Sequence, residues 1–194
     1  MEITSAQLKE LRDLTGISVM QCKKALEEAG GDMAKAKIIL QKKGGELAQK
    51  KSDRALGAGT IGSYVHSTGE VAALVVLSCE TDFVSKNAEF AALAREIAMH
   101  VAAQAPLGVN RADVGEEALA KAREVFQEEV KDKPAEMQEK ILQGKLDAYF
   151  KDRILLEQPF IKNPEITIEG MINGAVQKFG EHVSISRIER LSVK

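Results

Sequence analysis

Apolar positions recur at helical spacing through the first 45 residues, cut into three short runs by glycine. Thr4-Ser-Ala-Gln7 has capping-box spacing and opens a helix through about Leu14, stopped by Gly16. Ser18-Val-Met-Gln21 repeats the pattern and opens a second helix that ends at Gly30-Gly31. Asp32 caps a third over 33–43, ended by Gly44-Gly45. Leu8, Leu11, Leu14, Val19, Ala25, Leu26, Ile38, Ile39 and Leu40 supply a small core, which predicts a three-helix bundle over residues 1–45.

The pattern then changes. Residues 46–57 are polar and basic and read as a linker. Residues 60–67 alternate weakly, Thr68-Gly69 makes a turn, and 70–79 is strongly apolar, which predicts a β-hairpin. Period 3.6 returns over 88–104, with Phe90, Leu93, Ile97 and Val101 on one stripe. Further helices are predicted from Asp113-x-x-Glu116 to about 132, from Pro134 at the first helical position to about 157, and over 167–179 with Gly180 as the stop. Residues 182–193 read as a last strand whose alternation slips near Arg187-Ile188, as at a bulge or bend. The fold class is therefore α+β: a helical bundle, then a domain over 58–194 in which helices cover a small antiparallel sheet.

Composition narrows the function. The chain has 194 residues, and its 27 Lys plus Arg against 29 Asp plus Glu leave a net charge of −2, which argues against nucleic-acid binding as the main activity. Cys22 and Cys79 are far apart without CxxC spacing, as expected of buried thiols in a reducing compartment. No stretch is apolar for long enough to span a bilayer, and residues 1–16 lack the apolar run of a signal peptide, so the expected setting is the cytoplasm.

Most candidate chemistry has a plainer explanation. Gly57-Ala-Gly59-Thr-Ile-Gly62 matches G-x-G-x-x-G, but a basic segment precedes it and a strand follows, the reverse of what a dinucleotide site needs. His66, His100 and His182 are scattered, with no Cys or His at ligand spacing, so no metal or cofactor is called for. Glu80 and Asp82 could serve acid–base chemistry, but no nucleophile can be placed beside them. The lysine pairs at 42–43 and 50–51 lack interleaved aromatics and read as solvated helix ends and linker. That leaves the octapeptide Glu80-Thr-Asp-Phe-Val-Ser-Lys-Asn87 at the corner between the buried strand and the next helix. It is either an N-capped turn with Phe83 tucked inward or a loop that offers an acid and an aromatic to a partner, and the residues alone leave both open.

Two stretches bear on that choice. Leu-Arg-Asp-Leu-Thr-Gly-Ile-Ser-Val-Met-Gln-Cys-Lys-Lys-Ala-Leu at 11–26 closely resembles the N-terminal signature of the elongation factor Ts family, and Cys-Glu-Thr-Asp-Phe-Val-Ser-Lys-Asn at 79–87 resembles its second signature. Leu-Glu-Gln-Pro-Phe-Ile-Lys at 156–162 is similar to the family too, so the resemblance covers nearly the whole chain in order. Ser78 departs from it, since Asn usually precedes the cysteine of the second signature; at a strand end the expected consequence is structural. The length resembles the compact members, which have a single core module.

The resemblance implies a guanine-nucleotide exchange factor for the GTPase elongation factor Tu, working without covalent chemistry. It implies that the bundle, of ubiquitin-associated type, docks on the nucleotide domain of the GTPase through Arg12, Val19, Met20 and Lys23. It assigns Thr81, Asp82, Phe83 and Val84 to the segment that dislodges Mg²⁺, with Asp82 and Phe83 inserted between helices near the metal. It points to His66 in Ser63-Tyr-Val-His66 as a contact to the third domain of the GTPase, made by the second subunit of a homodimer. An unpaired sheet edge makes the apolar residues of the last strand the candidates for that interface. The rival expectation is a passive interaction module with the same bundle and no exchange activity.

Overall fold

The computed structural model describes residues 3–132 and 134–193. The fold is α+β. In chain order it runs α1 (Ser5–Thr15), α2 (Val19–Glu28), α3 (Met33–Lys51), β1 (Ala58–Val65), β2 (Val71–Cys79), α4 (Asp82–Ser85) and α5 (Ala88–Gln104). It continues with α6 (Glu116–Val130), α7 (Ala135–Lys151), β3 (Pro159–Phe160), β4 (Asn163–Thr167), α8 (Ile168–Phe179) and β5 (Val183–Ser192). β1, β2 and β5 form a three-stranded sheet in the order β1-β2-β5, and β3 pairs antiparallel with β4. The tight turn closed by the His66 N–H on the Val71 carbonyl makes β1 and β2 a hairpin, and the Val193 N–H on the Glu70 carbonyl joins the end of β5 to the start of β2, so both pairs are antiparallel.

The chain divides into two compact units: Met1–Ile61 with Val76–Ala94 and Glu169–Ile185, and Gly62–Val75 with Arg95–Ile168 and Ser186–Lys194.

In the first unit the N-terminal helices start where the caps were read. Thr4 makes a full capping box with Gln7, the Ser18 hydroxyl accepts from Gln21, and Asp32 accepts from Ala34 and Lys35. Gly16 closes α1 at φ 66°, a left-handed backbone open to glycine at little cost. Leu11, Ile17, Cys22, Ala25, Leu26, Ala36 and Leu40 form the core of the bundle. Leu14, Val19 and Ile38, expected inside, are exposed, because three short helices enclose fewer positions than their sequences offer apolar side chains.

Gly44-Gly45 does not end the third helix. α3 runs through it to Lys51, so residues 46–51, expected as linker, are helix, and only 52–57 remain irregular. Gly44 is there for close packing: a Cβ would stand 3.2 Å from the Asn173 carbonyl oxygen on α8. At the far end of α3, the Lys51 ammonium donates to the Gly180 carbonyl at 2.7 Å. Gln21 and Gln177 add a side-chain bond at 2.7 Å, so the bundle is laid along α8 rather than tethered to it.

The G-x-G-x-x-G string falls largely in β1, where no pyrophosphate could meet a helix N-terminus. A Cβ on Gly59 would come within 2.7 Å of the Leu77 carbonyl oxygen on β2. Gly59→Ala is therefore expected to force the strands apart and cost about 1–3 kcal/mol of folding stability, as overpacking does. Urea denaturation measures it, and a loss under about 0.5 kcal/mol would refute the steric role.

The second unit holds an α6–α7 hairpin around Val114, Ala122, Phe150 and Ile154. Pro134 sits one position earlier than expected, as the residue before α7, and α7 stops at Lys151, several residues short of the expected end. His100 on α5 is fully buried. Its Nδ1 accepts the Ile161 N–H at 3.3 Å, which leaves the proton on Nε2 to donate to the Gln158 side chain at 3.0 Å. Burial pushes its pKa below the ordinary value. A depressed pKa means that the stabilisation is present above the unfolded-state pKa of about 6.5 and is lost as pH falls through the folded-state value. His100→Leu leaves the Ile161 N–H unpaired and is expected to cost about 1–3 kcal/mol at pH 7.5. Denaturation curves at pH 7.5 and 5.5 should show the gap between wild type and variant narrowing at the lower pH.

Candidate functional site

α4 is a single turn of four residues, too short to hold itself together in water, so its shape is imposed from outside. Val84 points inward and is buried, which anchors the turn from below. The Asn87 side chain accepts from the Glu89 N–H at 2.8 Å and starts α5 immediately after. At the other end Glu181, in the turn between α8 and β5, reaches across. One of its carboxylate oxygens accepts the N–H groups of Glu80 and Thr81 at 3.1 and 3.0 Å, and the other takes the Thr81 hydroxyl at 2.6 Å. Glu80 returns the contact by accepting the His182 N–H at 2.5 Å. Arg54 donates to the same Glu80 carboxylate at 3.3 Å, and the His182 ring donates to the Arg54 carbonyl at 2.9 Å.

With both ends held, the turn offers two side chains outward. Phe83 is 83% exposed, the most exposed of the large apolar side chains in the described residues. Asp82 stands beside it in an ion pair with Lys86 at 2.6 Å. The ring is left in water on an imposed turn, which excludes the tucked-in reading of the octapeptide. Thr81 and Val84 belong to the frame instead: one hydroxyl is committed to Glu181 and one side chain is inside.

The electrostatics argue against a general-acid role for either carboxylate. The His182 N–H and then Arg54 hold Glu80 below the usual carboxylate range, and the Lys86 ammonium does the same for Asp82. Both are ionised at neutral pH, so neither can hold a proton to donate as a general acid there. Among the described residues no group of three or more His, Cys, Asp or Glu could hold a metal ion, and no helix is long and apolar enough to cross a membrane.

The other assigned positions in this unit are also on the surface. Arg12 lies in the last turn of α1, and Val19, Met20 and Lys23 occupy the first turns of α2. Met20 is 70% exposed and Val19 46%. Lys23 makes only a loose pair with Glu27 at 3.9 Å. Leu14, which the sequence placed in the core, is exposed near the end of α1 and adds to the apolar area there. The docking candidates and the exposed turn thus belong to the same compact unit. His66 lies in the second unit, exposed, with its Nδ1 3.1 Å from the Tyr64 hydroxyl. Those two side chains line a cavity of about 430 Å³ with Met99, Ile161 and Arg190.

Sequence reasoning found the exposed pair but missed Glu181, His182 and Arg54. The only local signal for Glu181 and His182 is the Gly180 stop that precedes the turn, and Arg54 has none.

Residues 7–194 match the family model described as Elongation factor TS. A protein named Elongation factor Ts from Carboxydothermus hydrogenoformans is 46% identical over 193 residues, covering 98% of this chain and 89% of its own. One of the same name from Thermosipho melanesiensis is 46% identical over 193 residues, covering 98% of each chain. A third, from Fervidobacterium nodosum, is 45% identical over 195 residues, covering 100% of this chain and 99% of its own.

Proposed function

The chain belongs to the elongation factor Ts family, and from that premise we propose that it exchanges guanine nucleotide on elongation factor Tu by wedging Asp82 and Phe83 against the Mg²⁺ site of the GTPase. Membership carries the coarser statement, nucleotide exchange on elongation factor Tu during translation elongation. The finer one rests on a single observation: a solvent-exposed Phe83 beside an ionised Asp82, on a turn whose frame is held from both ends.

In this reading Arg12, Val19, Met20 and Lys23 dock the bundle on the nucleotide domain. Asp82 and Phe83 then enter between helices near the metal, while Thr81 and Val84 shape the turn that carries them. Mg²⁺ needs near-ideal octahedral geometry and bridges the phosphate oxygens of the nucleotide. Shifting an element that holds the metal therefore weakens GDP binding steeply. Coupling is reciprocal: the factor and GDP each lower the other's affinity for the GTPase, and exchange proceeds through a transient ternary complex. No bond in either protein is made or broken. The setting is the cytoplasm, with the translation apparatus.

We also propose a homodimer. Val65, Leu74, Leu191 and Val193 leave apolar area exposed in the second unit. A second copy covering it would let one subunit supply the wedge and the other the His66 contact to the third domain of the GTPase. Sedimentation at micromolar concentration should give twice the 21.1 kDa mass of the chain.

The test is release of a fluorescent GDP analogue from purified elongation factor Tu, followed by stopped flow at fixed Mg²⁺. Acceleration that saturates with factor concentration is the expected result. Binding without acceleration would leave the passive interaction module.

A further inference from the structure

We infer that Glu181 is a positioning residue for exchange, the backstop that keeps the Asp82–Phe83 turn from yielding when it is pressed into its partner. The inference rests on the exchange reading above.

A wedge works only if its base is stiffer than what it displaces, and α4 by itself is not stiff. Four residues form one turn, with too few internal hydrogen bonds to resist bending. The way Thr81 is used shows where the stiffness comes from. Thr81 is the residue at the N-cap of α4, where a threonine hydroxyl ordinarily accepts from the backbone two or three residues on. Here it makes no such bond. The hydroxyl donates instead to Glu181, 100 residues away in sequence, at 2.6 Å. A local cap is given up for a long-range one, and the two N–H groups before the turn follow it to the same carboxylate.

The contact runs both ways. The Glu80 carboxylate accepts the His182 N–H while the Glu181 carboxylate accepts the Glu80 N–H, so adjacent residues on each side exchange bonds. Such a pairing fixes direction as well as distance. Lys51 on the Gly180 carbonyl and Arg54 on Glu80 tie the same turn to the end of α3. Load on Phe83 would pass into α3 and α8 rather than into a free loop. Glu181 itself contributes no exposed aromatic or docking side chain; its work is done through Thr81 and the backbone.

The experiment compares wild type, Glu181→Ala and Glu181→Gln in the GDP-release assay with the natural full chain, after thermal melts confirm that each is folded. Glu181→Ala is expected to lower the maximal release rate about tenfold and to leave the half-saturating concentration within about twofold, because the docking face is untouched. Glu181→Gln is expected to recover to within about threefold of wild type. Its amide oxygen can accept both N–H groups, and its NH₂ can donate to the Thr81 hydroxyl. Full maximal rate in a folded Glu181→Ala protein, a defect confined to half-saturation, or no rescue by glutamine would each overturn the inference. Failure of wild type itself to accelerate release would instead remove the exchange reading on which it rests.

Discussion

Phe83→Ala is expected to lower the maximal rate of GDP release from elongation factor Tu by about 30-fold while leaving the melting temperature unchanged. The two halves have separate causes. The ring is 83% exposed, so its removal takes almost no packing from the folded protein. In the complex a buried aromatic anchor is commonly worth about 2 kcal/mol or more. If that energy appears only as the metal site opens, it converts to about 30-fold in rate, since each 1.36 kcal/mol is tenfold. Asp82→Ala should fall in the same direction by less, because its charge is already partly met by Lys86 at 2.6 Å in the free protein. Single-exponential release traces at saturating factor decide it. Undiminished release in both variants would keep exchange and move its site off the turn.

Met20→Asp is expected to do the complementary thing. Met20 is 70% exposed, and in the proposed complex its flexible thioether is covered by the nucleotide domain. An aspartate there would have to lose its water without a partner, at a cost of about 2–3 kcal/mol. The half-saturating concentration should rise about 30- to 160-fold, with the plateau rate within about threefold of wild type. Together the two variants separate grip from leverage: one moves the concentration axis, the other the plateau. If Met20→Asp lowered the plateau instead, the bundle would be part of the lever.

The parts of the fold that could be read in advance are those written in neighbouring residues. Thr4, Ser18 and Asp32 start helices through bonds to backbone two or three positions on, and such spacings are visible in a string. Gly44 was misread because a glycine that admits a neighbouring backbone looks the same in sequence as one that stops a helix; the Asn173 carbonyl that explains it lies far along the chain. Leu14, Val19 and Ile38 keep helical spacing with the true core, so periodicity alone cannot say which side of a narrow bundle they face. β3, at two residues, is shorter than any pattern that could announce it. At the candidate site, Asp82 and Phe83 were legible as an unusual pair but their exposure was not. Glu181 was invisible, since it acts through three bonds to residues about 100 positions away.

α3 meets α8 where Gly44 lies against Asn173, and meets the turn just after α8 where Lys51 donates to Gly180. The two contacts are seven positions apart on each strand of the pair, about two helical turns or ~10 Å. Equal spacing makes the two helices a matched length. A single residue inserted between Gly44 and Lys51 would swing the lysine about 100° around its helix and away from the Gly180 carbonyl. An insertion between Asn173 and Gly180 would not bring it back, because it turns its own helix by the same angle in the same sense. Relatives should therefore keep both spacings fixed, from Gly44 to Lys51 and from Asn173 to Gly180, whereas length differences in the irregular stretch 52–57 are free of that constraint.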